Sequence, residues 1–394
     1  MVTRTSTTRI TGSQREQSAD INAAATSGHA GFYFENLVQA YFDCRTRKRS
    51  SQSALSFEFN LERNLNTLYQ ELITNSYNIG QSICFVITHP KPREVWAATF
   101  RDRIVHHALY NHISPTFERT FIADSCACIK GRGTLYAAKR LESKIRSATQ
   151  NWQQHCHYLK CDLANFFVNI NKPILFGLLA KKITNPWWLQ LTEKILMHDP
   201  RQNYKLHCSK QLLEKVPTYK RLTNQPAHLG LPIGNLSSQF FANVFLNELD
   251  QFAKHQIGAH HYIRYVDDFV LLHHCPTWLN NARDRIQQFL QSQLAASLNH
   301  KKTIIQPVNR GVDFVGQVIK PWHRQLRRKT LKHAIHNVKN TPKKELRETA
   351  NSYFGLLRQT GSSHVQRAKL SKLLLLRGNC VNQQLTKTYR SKHE

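Results

Sequence analysis

The sequence predicts a mixed α/β body joined to a small, basic, helical domain. Three observations carry this. Between His157 and Ile319, short apolar runs of strand length alternate with stretches of helical periodicity. Before them, from Phe32 to Ala148, helical spacing dominates around one strand-like run. After Pro321 the composition shifts to 17 Lys and Arg against three Glu, a net +14 over 74 residues.

The elements follow in order. Residues 1–30 are rich in Ser, Thr, Ala and Gln, poor in large apolar residues, and predict a disordered leader. Phe34, Leu37, Val38 and Tyr41 fall on one helical face, and the basic stretch Arg45 to Gln52 breaks that helix. A second helix covers Asn60 to Thr74. Ile83 to Ile87 reads as a strand closed by a turn at Pro90 and Pro92. Arg101 to Tyr110 is helical, and residues 132–134 form a loop before a helix from Leu135 to Ala148. His157 to Asp162 is a strand. From Asn165 a helix starts that Pro173 interrupts, and Asn185 to Thr223 reads as mostly helical. Leu236 to Gln256 is a long helix with one apolar side. Tyr262 to His273 is a hairpin around Asp267 and Asp268. Arg283 to Leu298 is a helix, and Thr303 to Gln306 and Val312 to Ile319 are strands. In the basic domain, Leu346, Ala350, Tyr353 and Leu357 make one stripe, and Leu370, Leu373 and Leu374 mark a last helix.

Charge narrows the function. The 394 residues carry 55 Lys and Arg against 25 Asp and Glu, a formal +30. Hydrophobic residues make up 41%, too many for a disordered basic tail. Such an excess suits a polyanionic partner, because neutralising phosphates releases their counterions. No run of 18 apolar residues exists, so no membrane partner is expected. The nine cysteines are odd in number and irregular in spacing, which suits a reducing cytosol, so a cytoplasmic location is expected.

The sharpest local feature is Tyr265-Val266-Asp267-Asp268. Adjacent aspartates between apolar arms repel one another unless a cation is present, and a divalent metal meets that need. A plain turn with two solvated acids is the alternative, weakened by two flanks of buried-strand character. Asp162 ends another apolar run, where it suits a metal ligand or a helix N-cap equally. If the two strands are neighbours, Asp162 and Asp267 can share two metal ions. That set serves an in-line nucleotidyl transfer with little covalent chemistry.

These residues carry a resemblance. Tyr265 to Asp268 resembles the YxDD box of reverse transcriptases, and Asp162 to Phe167 their first palm motif. Lys91 to Glu94 and Phe100 to Arg103 resemble the fingers motif, and Ser125 to Gly133 the segment after it. Leu231 to Gln239 resembles the motif before the long palm helix, and Leu298 to Thr303 the motif after the hairpin. Val312 to Gly316 resembles the primer-grip segment, and Ala350 to Leu357 a thumb helix. The blocks are colinear over roughly residues 32–380, which is far more specific than an isolated YxDD.

The resemblance implies a right-hand polymerase. N-terminal helices and fingers would cover 31–156, and the palm 157–320 with an insertion around 185–225. The basic helical thumb and tail would cover 321–394. Asp162, Asp267 and Asp268 would hold two Mg²⁺ ions, with Mn²⁺ the alternative. Lys302 would act beside the departing pyrophosphate. Phe167 would be the steric gate against a ribose 2′-OH, with a core phenylalanine as the plain alternative. Arg93, Lys91 and Arg103 would meet the triphosphate. Gly234 would admit the nascent pair, with Ile233 and Gln239 lining the same pocket. Lys130 and Arg132, in a segment with Ile129 where the family usually carries Arg, would touch nucleic acid. So would Arg324, Arg327, Arg328 and Lys329 of the thumb.

The Ile233-Gly234-x-x-x-Ser238-Gln239 pattern is similar to that of diversity-generating retroelements, whereas group II intron and retron enzymes usually carry QGxxxSP. No maturase or endonuclease extension follows the thumb, which favours a compact enzyme. The implied activity is error-prone copying of a template RNA into cDNA. The implied partners are the RNA, the RNA/cDNA duplex, dNTPs and a small accessory helical-bundle protein. A defence-associated or retron-like enzyme with its own noncoding RNA is the rival, and shares the chemistry.

Overall fold

The computed structural model describes residues 31–46, 51–88, 91–361 and 363–389. The expected leader at 1–30 lies outside the described residues, as does part of the turn at Pro90. The described residues form two compact units, one within 1–120 and 167–244 and one within 121–166 and 245–394, interleaved along the sequence.

The first unit opens with helices α1 (Phe34–Arg45), α2 (Gln52–Glu58) and α3 (Leu61–Ile73). Strands β1 (Ser82–Ile87) and β2 (Arg93–Ala97) follow, then α4 (Phe100–Glu118). Thr99 caps α4, its hydroxyl accepting from the Asp102 amide. Phe32, Trp187 and Trp188 cluster with ring centroids 4.7–5.4 Å apart, so the tryptophan pair is a packing anchor.

Three sequence expectations are corrected here. β2 is a full strand, antiparallel to β1, where its charged start at Arg93 and Glu94 had hidden the Val95, Trp96 and Ala97 run. The Asn165 helix is two helices, α6 (Phe166–Asn169) and α7 (Lys172–Ala180). Pro173 sits in the first turn of α7, where its missing N–H costs nothing. The 185–223 segment holds one helix of some length, α8 (Pro186–Met197). It is followed by strand β4 (Tyr204–Leu206), parallel to β1, and the short helix α9 (Lys210–Glu214).

The second unit is built on a four-stranded antiparallel sheet of order β5-β6-β3-β7. Its strands are β3 (His157–Asp162), β5 (His261–Tyr265), β6 (Asp268–His273) and β7 (Ile304–Pro307). Helix α5 (Thr134–Ala148) closes one core with Leu141, Ile145, Tyr158, Ile263, Val270 and Phe314. Helix α10 (Leu236–Gln251), which begins in the first unit, ends in a π-helical turn at Phe252–Gln256. Phe252 stacks on Phe289 of α11 (Pro276–Leu294) at 4.2 Å. That helix starts earlier than its periodicity suggested, because Pro276 serves as a helix start.

The expected strand at 312–319 is a hairpin of β8 (Val312–Phe314) and β9 (Gln317–Lys320), turning at Val315 and Gly316, both with positive φ. β10 (His323–Leu326) extends it, so the basic C-terminal segment opens with a strand. Helices α12 (Arg328–Asn340), α13 (Lys343–Leu357) and α14 (His364–Leu376) then share a core of Val338, Leu346, Ala350, Phe354, Leu357, Leu370 and Leu374. Phe354, one residue past Tyr353, is the aromatic fully buried on that stripe. The pair β11 (Cys380–Val381) and β12 (Thr388–Tyr389) closes the described chain.

Candidate active site

The carboxylates meet at one end of the β5-β6-β3-β7 sheet. Asp162 ends β3 and pairs in register with Asp268, the first residue of β6. Asp267 lies on the two-residue turn between Tyr265 and Asp268, which pair with each other across β5 and β6. Antiparallel pairing of an end with a beginning is what brings the two acids together.

The environment is crowded with like charge. Burial, then the charges of Asp162 and Asp268, pushes the Asp267 pKa up to about 6. Burial also raises that of Asp268, with Asp162 adding to the rise and Lys160 and Lys302 opposing it. Lys302 supplies the balancing cation. Its ammonium donates to Asp162 Oδ1 at 2.5 Å and Oδ2 at 2.6 Å, while the side chain stays half exposed. Asn299 adds a side-chain bond to Asp162 Oδ1 at 3.2 Å and a backbone bond to its carbonyl at 2.7 Å.

Two buried residues that sequence reasoning missed hold the turn. Val266 has φ +56, a rare conformation for a β-branched residue. The Arg264 guanidinium donates to the Val266 carbonyl at 3.1 Å. It also forks onto Asp250, Nε to Oδ1 at 2.7 Å and Nη2 to Oδ2 at 2.6 Å. Ser125 Oγ accepts a further bond at 2.9 Å, and Tyr262 donates to Asp250 at 2.7 Å. Arg264 and Asp250 are 1% and 0% exposed. The signal was present in the sequence: Asp250 occupies the apolar face of α10 with Leu246 and Ala253, and Arg264 interrupts an apolar arm. Charges in such places need a partner.

The donor set suits a hard divalent cation, since it consists of carboxylate oxygens whose mutual repulsion calls for positive charge. Among the described residues no group of three or more His, Cys, Asp or Glu side chains is placed to hold a metal ion. Lys302 stands where that charge is needed, bound to both oxygens of Asp162. One or two carboxylates suffice for Mg²⁺, and an ion bound at Asp162 would have to displace this ammonium.

The remaining expected residues are placed as follows. Phe166 is buried at 5% exposure, whereas Phe167 is half-buried, so the adjacent rings have different surroundings. In the first unit, Lys91 and Arg93 are exposed, Arg93 opening β2. Arg103 is half-buried on α4, with its Nε buried and lacking a hydrogen-bond partner. Ile233 accepts from the Trp96 amide at 2.7 Å, and the Asn235 side chain accepts from the Ala98 amide at 3.1 Å, so this segment is laced to β2. Gly234 is required there: its φ is +133, and a Cβ would lie 2.9 Å from the Trp96 carbonyl oxygen. Gln239 is exposed on α10.

In the second unit, Lys130 is exposed. Arg132 donates to the carbonyls of Ile122 and Ser125, both at 2.7 Å, and so braces its own loop. Arg324 is a strand residue held by Glu142 at 2.7 Å and Gln317 at 2.9 Å. Arg327 pairs with Asp313 at 2.5 Å. Arg328 and Lys329 are exposed at the start of α12.

The chain is similar to several known proteins. The chain is 22% identical over 238 residues to a putative COX1/OXI3 intron 2 protein of Saccharomyces cerevisiae, covering 45% of this chain. The match spans about a quarter, 25%, of that relative's length. Solved structures with some likeness include telomerase from Candida albicans in complex with a fragment of telomeric RNA. It has a TM-score of 0.41 and 12% identity, with 78% of this chain and 58% of that one covered. Apo telomerase from Candida tropicalis, truncated from its C-terminal domain, aligns with a TM-score of 0.44 and 13% identity, covering 66% and 60%. The family model described as reverse transcriptase (RNA-dependent DNA polymerase) matches residues 89–319, more than half of the sequence. With its carboxylates gathered at one sheet end inside that matched region, the chain belongs to the reverse transcriptase family.

Proposed function

We propose that the chain is an RNA-directed DNA polymerase that copies a template RNA into cDNA, with the low fidelity of a diversity-generating retroelement enzyme. The observation that carries the polymerase reading is the pairing of Asp162 with Asp268 across β3 and β6, with Asp267 on the adjoining turn. These three would hold two Mg²⁺ ions, or Mn²⁺. Bound there, the ions would neutralise charge on the attacking and leaving oxygens of an in-line displacement.

The chain's own residues do the rest. Lys302, half exposed and already beside Asp162, can donate to a departing pyrophosphate. Arg93, exposed at the start of β2, offers a planar fork to a triphosphate, with Lys91 two residues before it and Arg103 ten residues after it on α4. Phe167, unlike Phe166, has a face outside the core with which to exclude a 2′-OH. The low-fidelity reading rests on Ile233 and Gln239 in the IGxxxSQ pattern. An apolar Ile233 withholds a polar contact from the incoming nucleotide and loosens its positioning.

Primer extension on an RNA template with dNTPs and Mg²⁺, followed by sequencing of the product, tests both levels. Incorporation with errors concentrated at template adenines is expected. Faithful cDNA would remove the retroelement reading and favour an enzyme serving a dedicated noncoding RNA.

A further inference from the structure

A second cluster of charge lies along the outer edge of β5, the edge strand of the carboxylate sheet. Asp124 is 5% exposed and receives three cations. Arg140 reaches it at 2.6 Å, Lys144 at 2.9 Å and Lys254 at 3.3 Å. Arg140 and Lys144 share one face of α5, four residues apart, while Lys254 comes from the π-helical turn after α10. Lys254 also donates to the His260 carbonyl at 2.9 Å. His261 opens β5 four residues before Tyr265, about 13 Å along the strand from the carboxylate turn.

One carboxylate is neutralised by one cation. Three leave a local excess of two positive charges, and cations gathered so closely repel one another unless a further anion arrives. The repulsion registers on their neighbours. Burial lowers the Lys144 pKa, and Lys254 and Arg140 lower it further against the pull of Asp124. His261 is likewise lowered by burial, then by Lys144, His260, Lys254 and His274. Asp124 thus holds the cations in a fixed array without neutralising it.

We propose that this face, formed by Arg140, Lys144, Lys254, His260, His261 and His274, binds the phosphodiester backbone of a structured RNA outside the polymerising site. The choice of RNA rests on the polymerase reading above. A guanidinium and two ammonium groups gathered on one carboxylate, with histidines beside them, leave positive charge that a phosphate backbone can neutralise.

Fluorescence anisotropy with a labelled RNA hairpin over a KCl series tests this, beside primer extension on a short RNA–DNA duplex. Lys254→Glu keeps Arg140 and Lys144 on Asp124. It should weaken hairpin binding by about tenfold and flatten the salt dependence by about one to two phosphate contacts, with extension on the short duplex unchanged. His260→Glu with His274→Glu, both at exposed positions, should act in the same direction and decides the matter if Lys254→Glu unfolds. Wild-type affinity and salt slope in the histidine variant and in a folded Lys254→Glu would overturn the proposal. Loss of polyglutamate binding with RNA binding retained would also overturn it, and assign the face to an acidic protein segment. If the wild-type protein extends no primer, the polymerase reading fails, while the anisotropy still decides the surface.

Discussion

Arg264 donates through Nη1 to the carbonyl oxygen of Val266, 3.1 Å away, and so holds the turn that presents Asp267. Val266 has φ +56 in a turn where glycine or asparagine would be relaxed. Such a conformation persists where its surroundings over-determine it. Here the restraint is a buried guanidinium that is itself fixed by Asp250, Ser125 and the strand pairing of β5 with β6.

Replacing that guanidinium should be severe. Arg264→Met leaves Asp250 buried with a tyrosine hydroxyl as its remaining side-chain partner. Thermal or urea unfolding should show a loss of roughly 3–5 kcal/mol. Arg264→Lys keeps the charge and loses the fork, so it should remain folded and need more Mg²⁺ for half-maximal incorporation. A wild-type metal requirement in Arg264→Lys would deny Arg264 its positioning role.

On the proposed reading, a metal at Asp162 takes the place of the Lys302 ammonium. Lys302→Met removes the ammonium from both oxygens of Asp162. Without metal, its melting temperature should fall by a few degrees, about what 1 kcal/mol produces. Added Mg²⁺ should then raise the melting temperature of the variant more than that of the wild-type protein. Equal shifts would mean that the ammonium and the metal use different positions.

The adjacent phenylalanines should separate cleanly. Phe166→Ala empties a core position packed against Phe245 and should cost roughly 3–5 kcal/mol. Phe167→Ala should cost much less, and should reduce discrimination against ribonucleotides by at least about tenfold, or about 1.4 kcal/mol. Competition between dNTP and rNTP in single-nucleotide extension reads this directly. Unchanged discrimination would return Phe167 to a packing role.

Stability should depend on His106 in mild acid. Burial lowers its pKa from 6.5 to about 4, and its Nδ1 lies 2.7 Å from Ser237 Oγ. The unfolded imidazole takes up a proton below pH 6.5 that the folded one refuses. The contribution is therefore fully present above pH 6.5 and is lost as the pH falls toward 4. The loss reaches about 2 kcal/mol at pH 5 and about 3 kcal/mol at pH 4. Melting curves of wild type and His106→Asn should differ in slope over this window. Parallel curves would contradict the assignment.

The sequence made the periodic and apolar parts of the fold legible. β3 lies where the His157 to Asp162 run placed it, and the hairpin strands and Leu61–Ile73 follow their patterns closely. β2 and β4 were hidden because short strands with charged or polar ends lack a clear period. The 312–319 run concealed a hairpin because its turn is carried by Val315 as well as Gly316. At the site, the acids stood out because two aspartates inside apolar sequence are anomalous. Arg264 and Asp250 are equally anomalous, but their pairing spans 14 residues and becomes visible once α10 and β5 are packed together. Lys302 was legible as a residue, but not as the cation already seated on Asp162.

The central claim is that Asp162, Asp267 and Asp268 form the metal-dependent centre of an RNA-directed DNA polymerase. The most direct measurement is dNTP incorporation on a primed RNA template by the wild-type protein and by Asp267→Ala with Asp268→Ala, alongside RNA binding. Incorporation by the wild type, its abolition in the double variant and unchanged RNA affinity are predicted. Incorporation that persists in the double variant would contradict the account.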